Sequence, residues 1–543
     1  MSKVAAYLRG HLSGEVSTRA DVREAMSTDG GVMKIVPELV IYPRTTNDVR
    51  KVARFSWQLA QKGHVLPITV RGAGTDASGA SIGKGVSLVT TAHMNKIFEY
   101  DGKQKLVRLQ PGAAIGALNQ ALTLHGSAIM TLAGSPDYAT VGGAIADAAS
   151  GPYAGKYGGI DTTIDQLEVV LANGDVIQTG RISKKELNKR KGVEGMEGDI
   201  YRGLDSIIED NAELLDQLRA NDAVGYNSIA DVKQRDGSFD LTPLFVGSQG
   251  TLGIITEMIM RAEYRGLHLG VGALVFSDAN TARDSLDFLS ELSPAFLEYI
   301  DAALFETASS IGKLYDFYTN ASAELTPKVV VLIGFDDFND RQRDKHYKQL
   351  QKYFQKQEGV HVSFARGEEA EGLISALDVA YYSSYPDKES HIAPPVLSGF
   401  HVPTARLEDF MIALEELAGK HHTELPLLGH VVTNIYAVYP AVELKKVADK
   451  QKIFKLLDDL TKLVYAHGGT MIAEGGEGRL KSKFIYAHLE EPLIAMYTAI
   501  RSVFDPHGTL NPGVKQSNEM KVMIDQLRDE PAVGHLARFG LYS

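Results

Sequence analysis

The segment Arg71-Gly-Ala-Gly-Thr-Asp-Ala-Ser-Gly79 decides the fold of this chain. An apolar run from Leu66 predicts a strand before it, and a second strand pattern over 86–90 follows without an intervening helix. A Rossmann fingerprint spaces its glycines differently and opens a helix, and a P-loop has a lysine where Ala80 stands. Closely spaced glycines still let backbone N–H groups line a concavity that accepts phosphate oxygens.

The same segment carries polar groups that suit a pyrophosphate. Thr75 and Ser78 supply hydroxyl donors, and Arg71 supplies a positive charge. A glycine-rich loop that only connects two strands would look the same, so this segment alone leaves both interpretations open. Two further stretches, 140–151 and 247–253, are also rich in small residues, which let a backbone lie flush against a flat ligand. Together the three stretches predict one extended cofactor that lies along several loops.

The composition excludes several classes of protein. The 543 residues suffice for two or more domains, and 56 basic against 68 acidic residues give a net charge of −12, which disfavours a nucleic-acid binder. The absence of cysteine excludes thiolate nucleophiles, Cys-based zinc sites and Cys-ligated iron–sulfur clusters, so redox chemistry needs an organic cofactor or a non-thiolate metal. No secretory h-region and no run of about 18 apolar residues occur, so we expect a cytoplasmic protein without a transmembrane segment.

The pattern changes after about residue 268. Strand-like runs at 270–276, 329–335, 360–364 and 431–438 alternate with helical stretches at 279–292, 341–357 and 407–418. This alternation is typical of an α+β domain of β-α-β units.

The sequence resembles the flavoenzyme family named after vanillyl-alcohol oxidase and p-cresol methylhydroxylase (PCMH), especially its FAD-dependent D-lactate and D-2-hydroxyacid dehydrogenase branch. The resemblance covers roughly 35–515, and eight stretches stand in family order: 27–30, 40–43, 71–79, 140–151, 167–174, 225–227, 247–255 and 505–513. It implies an α+β, two-domain fold. Residues 1–265, completed by 505–543, would form the PCMH-type FAD-binding domain, and 266–504 a ferredoxin-like cap of the FAD-linked oxidase type that binds substrate.

The resemblance also implies which residues hold FAD, with 71–79 at the pyrophosphate. Thr75 stands where some relatives carry the histidine of a covalent link, so we expect non-covalent FAD. Gln249 stands where relatives usually carry glutamate. The expected FAD-binding residues are Arg71, Gly72, Ala73, Gly74, Thr75, Asp76, Ser78, Gly79, Pro111, Gly134, Ser135, Pro136, Val141, Gly142, Gly143, Ala146, Ala149, Ser150, Gly151, Tyr157, Ile254, Ile255 and Asn511.

Metal-dependent members of this branch use a Gly-His-x-Gly-Asp-Gly-Asn-x-His motif and a Glu-His-Gly motif. The first reads Gly429-His-Val-Val-Thr-Asn-Ile-Tyr436 here, with tyrosine where the second histidine belongs. The second reads Glu474-Gly-Gly, with Gly475 in place of the family's catalytic histidine. Catalytic zinc normally has three protein ligands, so we expect no metal.

Oxidation of a 2-hydroxy acid by hydride transfer needs a cation for the carboxylate, a base for the hydroxyl proton and a flavin beside the C–H bond. The candidate catalytic residues are His430, His401, Glu474, Arg479 and Tyr436. The arginine that relatives use for the carboxylate is not recognisable around 378–385, where three tyrosines indicate either a more aromatic pocket or core packing.

The resemblance therefore implies FAD-dependent oxidation of a D-lactate-like D-2-hydroxy acid. Without cysteine there is no built-in iron–sulfur relay, so electrons would pass to an external quinone, cytochrome or oxygen. Two alternatives stay open: a flavin oxidase or dehydrogenase of an alcohol or sugar, and a flavin-binding subunit with little turnover. A peripheral contact with the inner membrane face also stays open.

Overall fold

A computed structural model describes residues 2–131, 137–218, 222–265, 269–337, 339–384, 392–444 and 447–529. The strands in these ranges are β1 (Glu15–Ser17), β2 (Leu39–Tyr42), β3 (Ile68–Arg71), β4 (Val86–Val89), β5 (Ile97–Asp101), β6 (Leu106–Leu109), β7 (Ser127–Ala128), β8 (Ile164–Val170), β9 (Val176–Gln178), β10 (Ile254–Arg261), β11 (Glu263–Tyr264), β12 (Gly270–Phe276), β13 (Phe296–Asp301), β14 (Val329–Phe335), β15 (Val360–Arg366), β16 (Leu397–His401), β17 (Leu427–His430) and β18 (Ile435–Val438).

The α-helices are α1 (Ser2–His11), α2 (Ala20–Ala25), α3 (Thr46–Ala60), α4 (Ile115–Thr123), α5 (Val141–Ala146), α6 (Ala154–Tyr157), α7 (Lys184–Lys191), α8 (Met196–Asp210), α9 (Ala212–Leu215), α10 (Thr242–Phe245), α11 (Ala279–Glu291), α12 (Ala302–Ser310), α13 (Asp316–Ser322), α14 (Asp340–Phe354), α15 (Ala370–Ile374), α16 (Leu407–His421), α17 (Val447–Ala466), α18 (Ser482–Tyr486), α19 (Glu491–Phe504) and α20 (Met520–Asp525). Short 3-10 segments lie at Ile160–Thr163, Asn227–Asp231, Gly367–Glu369, Ser375–Ser384 and Thr404–Arg406. Within the described ranges, no helix is both long and apolar enough to cross a bilayer.

A small sheet near the N-terminus carries the glycine-rich loop. Its order is β1-β2-β4-β3, and β2, β4 and β3 run parallel because α3 provides the crossover. Helix α3 begins after Thr45, whose side chain accepts a hydrogen bond from the amide of Asp48. The later segment around 509–511 extends this sheet, since Ile68 N donates to Thr509 O and Asn511 N donates to Ile68 O. The C-terminal part of the chain therefore returns to the glycine loop.

A second sheet supplies the opposite side of the N-terminal region. Its antiparallel order is β5-β6-β10-β8-β9, and an Asn173-Gly174 turn, a sequence typical of tight hairpins, joins β8 to β9. Gly174 has φ +86°, as such a turn requires. Strand β10 begins directly after the glycine stretch 247–253, so this stretch is held at the end of the central strand of the sheet.

The cap contains a seven-stranded antiparallel sheet of order β15-β12-β14-β13-β17-β18-β16. All seven residues of β12 are buried because helices cover both faces, and its alternating side chains belong to two separate cores. Helices α11 and α14 pack on one face, while α12, α13 and α15 pack on the other.

One predicted strand of the cap is wrong. The run 431–438 is not continuous, because a turn with Asn434 at φ +57° separates β17 from β18. The sequence patterns also missed β13 and β16. Both omissions matter for the site, since β13 lies directly beside β17 and β16 beside β18.

Candidate active site

A cleft with a cavity volume of about 130 Å³ lies between the two N-terminal sheets. The glycine loop, the start of α5 and the start of β10 form its walls. The lining residues are Val70, Gly72, Ala73, Gly74, Thr75, Asp76, Ala80, Ser81, Thr90, Pro111, Ala139, Thr140, Gly142, Gly143, Ala144, Ala146, Asp147, Ala149, Ser248, Gln249, Gly250, Gly253, Ile254 and Ile255.

At two positions of the loop only glycine fits, because atoms of neighbouring residues lie where a Cβ would be. A Cβ at position 72 would lie 2.2 Å from Oγ1 of Thr140, which precedes α5. Gly74 has φ +76°, and a Cβ there would lie 2.1 Å from Nη2 of Arg71. Any side chain at these positions would push the walls of the cleft apart or displace Arg71.

Two aspartates hold the loop in shape. Oδ1 of Asp76 accepts from Ser78 N at 2.9 Å, and Oδ2 accepts from Ser78 Oγ at 2.8 Å and Ala80 N at 3.1 Å. Oδ2 of Asp29 accepts from Gly79 N at 2.9 Å. Burial and the neighbouring Asp76 raise the pKa of Asp29 to about 7. The motif 27–30 therefore acts on the loop through Asp29, a residue absent from the predicted site.

Arg71 lies beneath the loop and is 1% exposed. Its Nη1 donates to Ser81 O at 3.4 Å, and its Nη2 has no hydrogen-bond partner among the described residues. Burial lowers the pKa of Arg71, while the nearby Asp29 and Asp76 oppose that shift. A buried guanidinium with an unused donor next to a glycine cradle fits a bound diphosphate.

A second cavity, of about 230 Å³, lies between the cleft and the cap sheet. Thr75, Asp76, Asp147 and Ala149 line both cavities, so the two are contiguous. The other lining residues are Ala77, Gly151, Pro152, Leu377, Asp378, Ala380, Tyr381, Pro395, Ser398, Leu428, His430, Ile435, Tyr436, Ala437, Tyr439, Glu474 and Gly475.

His430 stands between two carboxylates in this cavity. Its Nδ1 lies 2.6 Å from Oε2 of Glu298, its register partner on β13. Its Nε2 lies 3.7 Å from Oε1 of Glu474. The other oxygen of Glu474 accepts from Ser150 N at 3.0 Å, Ser150 Oγ at 2.5 Å and Gly151 N at 3.2 Å. This chain of contacts connects the cap sheet to the small-residue stretch of the cofactor cleft.

The two carboxylates keep His430 charged. Burial favours its neutral ring, but Glu298 and Glu474 outweigh burial and raise the pKa of His430 to about 10. Burial likewise opposes ionisation of Glu474, yet the charged His430 ring and the hydrogen bond from Ser150 lower its pKa to about 2. Burial raises the pKa of Glu298, which is only 2% exposed. A glutamate inside an otherwise apolar strand was the available sequence signal for Glu298.

Asp147 is a further residue that sequence reasoning missed. Its Oδ1 accepts from Gln249 Nε2 at 3.2 Å, and its carbonyl accepts from Gly475 N at 2.7 Å. Burial, followed by the charge of Asp76, raises the pKa of Asp147 well above its usual value. The single acid among the small residues of 140–151 was the available signal.

Several predicted residues lie away from both cavities. Arg479 is buried under the loop, where Nη1 donates to Gly79 O at 2.6 Å and Nη2 to Asn511 Oδ1 at 2.9 Å. His401 ends β16, its ring lines neither cavity, and burial lowers its pKa. Tyr157 donates from its hydroxyl to Asp336.

Other predicted residues lie at the second cavity, in buried structural positions, or outside the described part of the chain. Tyr436 lines the second cavity, and its hydroxyl approaches Asn434 Oδ1 at 3.5 Å. Val141 belongs to the apolar core, and Asn511 donates from Nδ2 to Ala80 O and Gln249 O at 2.8 Å each, which ties the loops together. Gly134, Ser135 and Pro136 lie outside the described residues.

The comparisons agree with this geometry. Residues 37–180 match the FAD binding domain, and 270–514 match the C-terminal domain of FAD linked oxidases. Residues in the described ranges form no group of three or more His, Cys, Asp or Glu that could hold a metal ion.

Relatives cover most of this chain at low identity. A D-2-hydroxyglutarate dehydrogenase of Pseudomonas putida is 25% identical over 93% of the chain and 50% of its own length. The chain thus spans about half the length of the first such relatives. A glycolate oxidase subunit of Bacillus subtilis is 25% identical over 88% of each chain, and a D-lactate dehydrogenase of Anaerostipes hadrus is 23% identical over 88% of this chain and 90% of its own.

Solved structures share the fold. p-Cresol methylhydroxylase has a TM-score of 0.69 at 14% identity over 96% of this chain and 97% of its own. An alkyldihydroxyacetonephosphate synthase has a TM-score of 0.63 at 16% identity over 94% and 84%.

The match to the FAD binding domain defines a flavoprotein, and its glycine loops and buried Arg71 fit the diphosphate of FAD. The chain belongs to the FAD-linked oxidoreductases that combine an FAD binding domain with the FAD-linked oxidase C-terminal domain. The predicted family, the two-domain PCMH-type fold class and the FAD cofactor are confirmed.

Proposed function

We propose that this protein oxidises the hydroxyl-bearing carbon of a D-2-hydroxy acid, with D-lactate as the model substrate. The observation that carries this proposal is the adjacency of the two cavities, since His430 and Glu474 line a cavity that shares four lining residues with the cofactor cleft. The relatives named as dehydrogenases of D-2-hydroxyglutarate and D-lactate favour the same class of substrate.

Different residues of this chain would bind the cofactor and the substrate. FAD supplies the hydride acceptor when bound in the cleft. The backbone of 72–76 and the small residues at 142–143 hold it there, and Arg71 offsets the diphosphate charge. His430, kept as an imidazolium by Glu298 and Glu474, donates a hydrogen bond or presents a positive charge to a substrate oxygen. Glu474 also holds the cap against Ser150 and Gly151, which limits water entry.

The electron acceptor and the domain limits belong to this proposal. The chain has no cysteine for an iron–sulfur relay, so reduced flavin passes its electrons to an external quinone, cytochrome or oxygen. Residues 1–265 with 505–543 bind FAD and 266–504 bind substrate; the pairing of Ile68 with Thr509 and Asn511 supports the return of the C-terminal segment to the first domain. We place the protein in the cytoplasm.

A neutral alcohol with an aromatic group is the second candidate substrate. The described residues that line the second cavity include no lysine or arginine, whereas Tyr381, Tyr436 and Tyr439 form part of its wall. Three aspartates and Glu474 also line it, which disfavours a second negative charge on the substrate.

Anaerobic mixing tests both candidates. The purified holoprotein is mixed with D-lactate, L-lactate, D-2-hydroxyglutarate, glycolate, benzyl alcohol and a polyol, and the visible flavin band is followed. Bleaching by D-lactate and not by L-lactate supports the hydroxy acid proposal. Bleaching by benzyl alcohol alone supports the second candidate, and an unchanged band with every compound contradicts both.

A further inference from the structure

We propose that Asp147 accepts the hydroxyl proton of the substrate. This inference rests on the proposed function, and it assigns the proton acceptor that the oxidation requires. The substrate C–H bond breaks with its electron pair passing as hydride to FAD, the O–H bond breaks with its proton passing to Oδ2 of Asp147, and a C=O bond forms. The substrate loses two electrons and two protons in all: FAD gains both electrons and one proton as the hydride, and Asp147 gains the other proton.

The position of the acceptor follows from the chemistry. The substrate hydroxyl is bonded to the carbon that loses hydride, and that carbon must lie beside the flavin. The proton acceptor must therefore lie within about 3 Å of this hydroxyl, close to the flavin. That place is the junction of the two cavities. Of the described residues that line both cavities, only Asp76 and Asp147 carry a carboxylate side chain.

Asp76 and Asp147 differ in what their oxygens do. Both oxygens of Asp76 accept hydrogen bonds from the loop itself, from Ser78 and Ala80. Asp147 receives one bond at Oδ1 from Gln249, and its Oδ2 has no hydrogen-bond partner in the described part of the chain. Because Asp147 lines both cavities, Oδ2 is available to a bound hydroxyl.

Other titratable groups of the second cavity are worse acceptors. His430 is held as an imidazolium and has no free lone pair. Glu474 already accepts three hydrogen bonds at Oε2, and its pKa of about 2 makes it a weak base. Burial raises the pKa of Tyr436 and of Tyr439, so both phenols stay neutral. Asp378 lines only the second cavity and not the cofactor cleft.

The surroundings of Asp147 favour proton uptake. Burial and the negative charges of Asp76 and Asp29 raise its pKa, while Gln249 and the cation of Lys481 act in the opposite direction. Burial lowers the pKa of Lys481 to about 8, which limits how strongly this cation holds Asp147 ionised. A carboxylate whose proton affinity is raised toward the working pH is a more effective base than an exposed one.

Asp147→Asn is the decisive variant, since it keeps the shape of the side chain and removes the proton acceptor. We expect flavin retention and substrate binding within about threefold of the parent, and flavin reduction slower by about 100-fold to 10,000-fold. Reduction by the parent rises with pH through the titration of Asp147, and this rise disappears in the variant. Asp147→Ala should regain rate when formate is added as a small external base.

Asp301→Asn is the matched control. Asp301 is also a buried aspartate, burial raises its pKa to about 7, and it lines neither cavity. Its carboxylate accepts from Leu427 N at 2.7 Å, a bond that asparagine can replace. This variant should reduce flavin at the parent rate and with the parent pH profile.

An infrared pH titration gives a readout that needs no substrate. Protonated carboxyl groups of the parent should show a C=O stretch that titrates with pH. The component that belongs to Asp147 should be missing in Asp147→Asn and present in Asp301→Asn, which lacks only the component of Asp301. Identical spectra of the parent and Asp147→Asn, or an unchanged reduction rate in Asp147→Asn, would overturn the assignment. If no compound reduces the parent flavin, the proposed function fails, and the infrared titration still decides whether Asp147 holds a proton at the junction.

Discussion

Arg479 donates from Nη2 to Oδ1 of Asn511 at 2.9 Å, and both side chains are buried. The same guanidinium donates to the carbonyls of Gly79 and Pro512 at 2.6 and 2.8 Å. Asn511 in turn donates to Ala80 and Gln249. This pair fastens the C-terminal segment to the two glycine stretches that form the cofactor cleft.

Arg479→Met should therefore damage stability and FAD binding more than the chemical step. The change leaves the buried carbonyls of Gly79 and Pro512 unpaired, and we expect the free energy of unfolding to fall by about 2–4 kcal/mol. Urea unfolding and FAD titration measure the two effects. Arg406→Met, at an exposed arginine paired with Asp409, should change stability by no more than about 0.5 kcal/mol. Parent stability with a lower rate of flavin reduction would instead place Arg479 in the chemistry.

Gly74→Ala should weaken FAD binding by at least about tenfold, or about 1.4 kcal/mol. The added Cβ would collide with the guanidinium of Arg71 and displace the loop. Gly63→Ala is the control, because Gly63 also has positive φ, at +83°, but nothing lies within 4 Å of its Cβ position. That control should cost about 1 kcal/mol of stability through backbone strain alone and leave FAD binding intact. Equal FAD affinities in the two variants, measured by flavin fluorescence, would contradict the close-approach argument.

His430 should make the stability of the folded protein decrease as pH rises through the alkaline range. Its pKa is raised from 6.5 to about 10 in the folded protein, so its contribution is complete below about pH 6.5 and is lost as pH rises toward 10. The Tm of the parent should fall across this window, and that of His430→Gln should fall less. The exposed His64→Gln serves as the comparison. His430→Gln should also slow flavin reduction without releasing FAD, so parallel Tm curves or an unchanged rate would argue against the assigned environment.

Glu474 should make the stability of the folded protein depend on pH in the acidic range. Its pKa is lowered from 4.5 to about 2, so its contribution is present above about pH 4.5 and is lost as pH falls toward 2. Glu474→Gln should unfold with a shallower acid dependence. It should also loosen the cap from Ser150 and Gly151, which faster hydrogen exchange at these two amides would reveal. Unchanged exchange would show that the carboxylate charge does not hold this contact.

Local signals in the sequence were sufficient for the cofactor cleft. The glycines of 71–79 and the small residues of 140–151 and 247–253 fix backbone conformation over a few residues, so they can be recognised without knowledge of distant contacts. Their arrangement around a common cleft agrees with the prediction of one extended cofactor.

The candidate catalytic part of the site was harder to predict from the sequence. The prediction of one strand over 431–438 followed the apolar residues and missed the left-handed turn at Asn434. Strand β13 was not recognised, so Glu298 was not placed beside His430. Arg479 was expected to be catalytic because of its motif, whereas its hydrogen bonds direct it to the loop carbonyls.

The sequence by itself determined the glycine loops, the absence of thiol chemistry and the alternation of elements in the cap, because these depend on composition and on neighbours along the chain. Only the tertiary structure decided that Asp147, His430 and Glu474 share one continuous space with Glu298 behind it. These four residues come from segments as far apart as 147 and 474, and the register of β13 with β17 and the seating of the cap on Ser150 bring them together. Such long-range contacts are set by packing of the whole molecule and leave no periodic trace in the sequence.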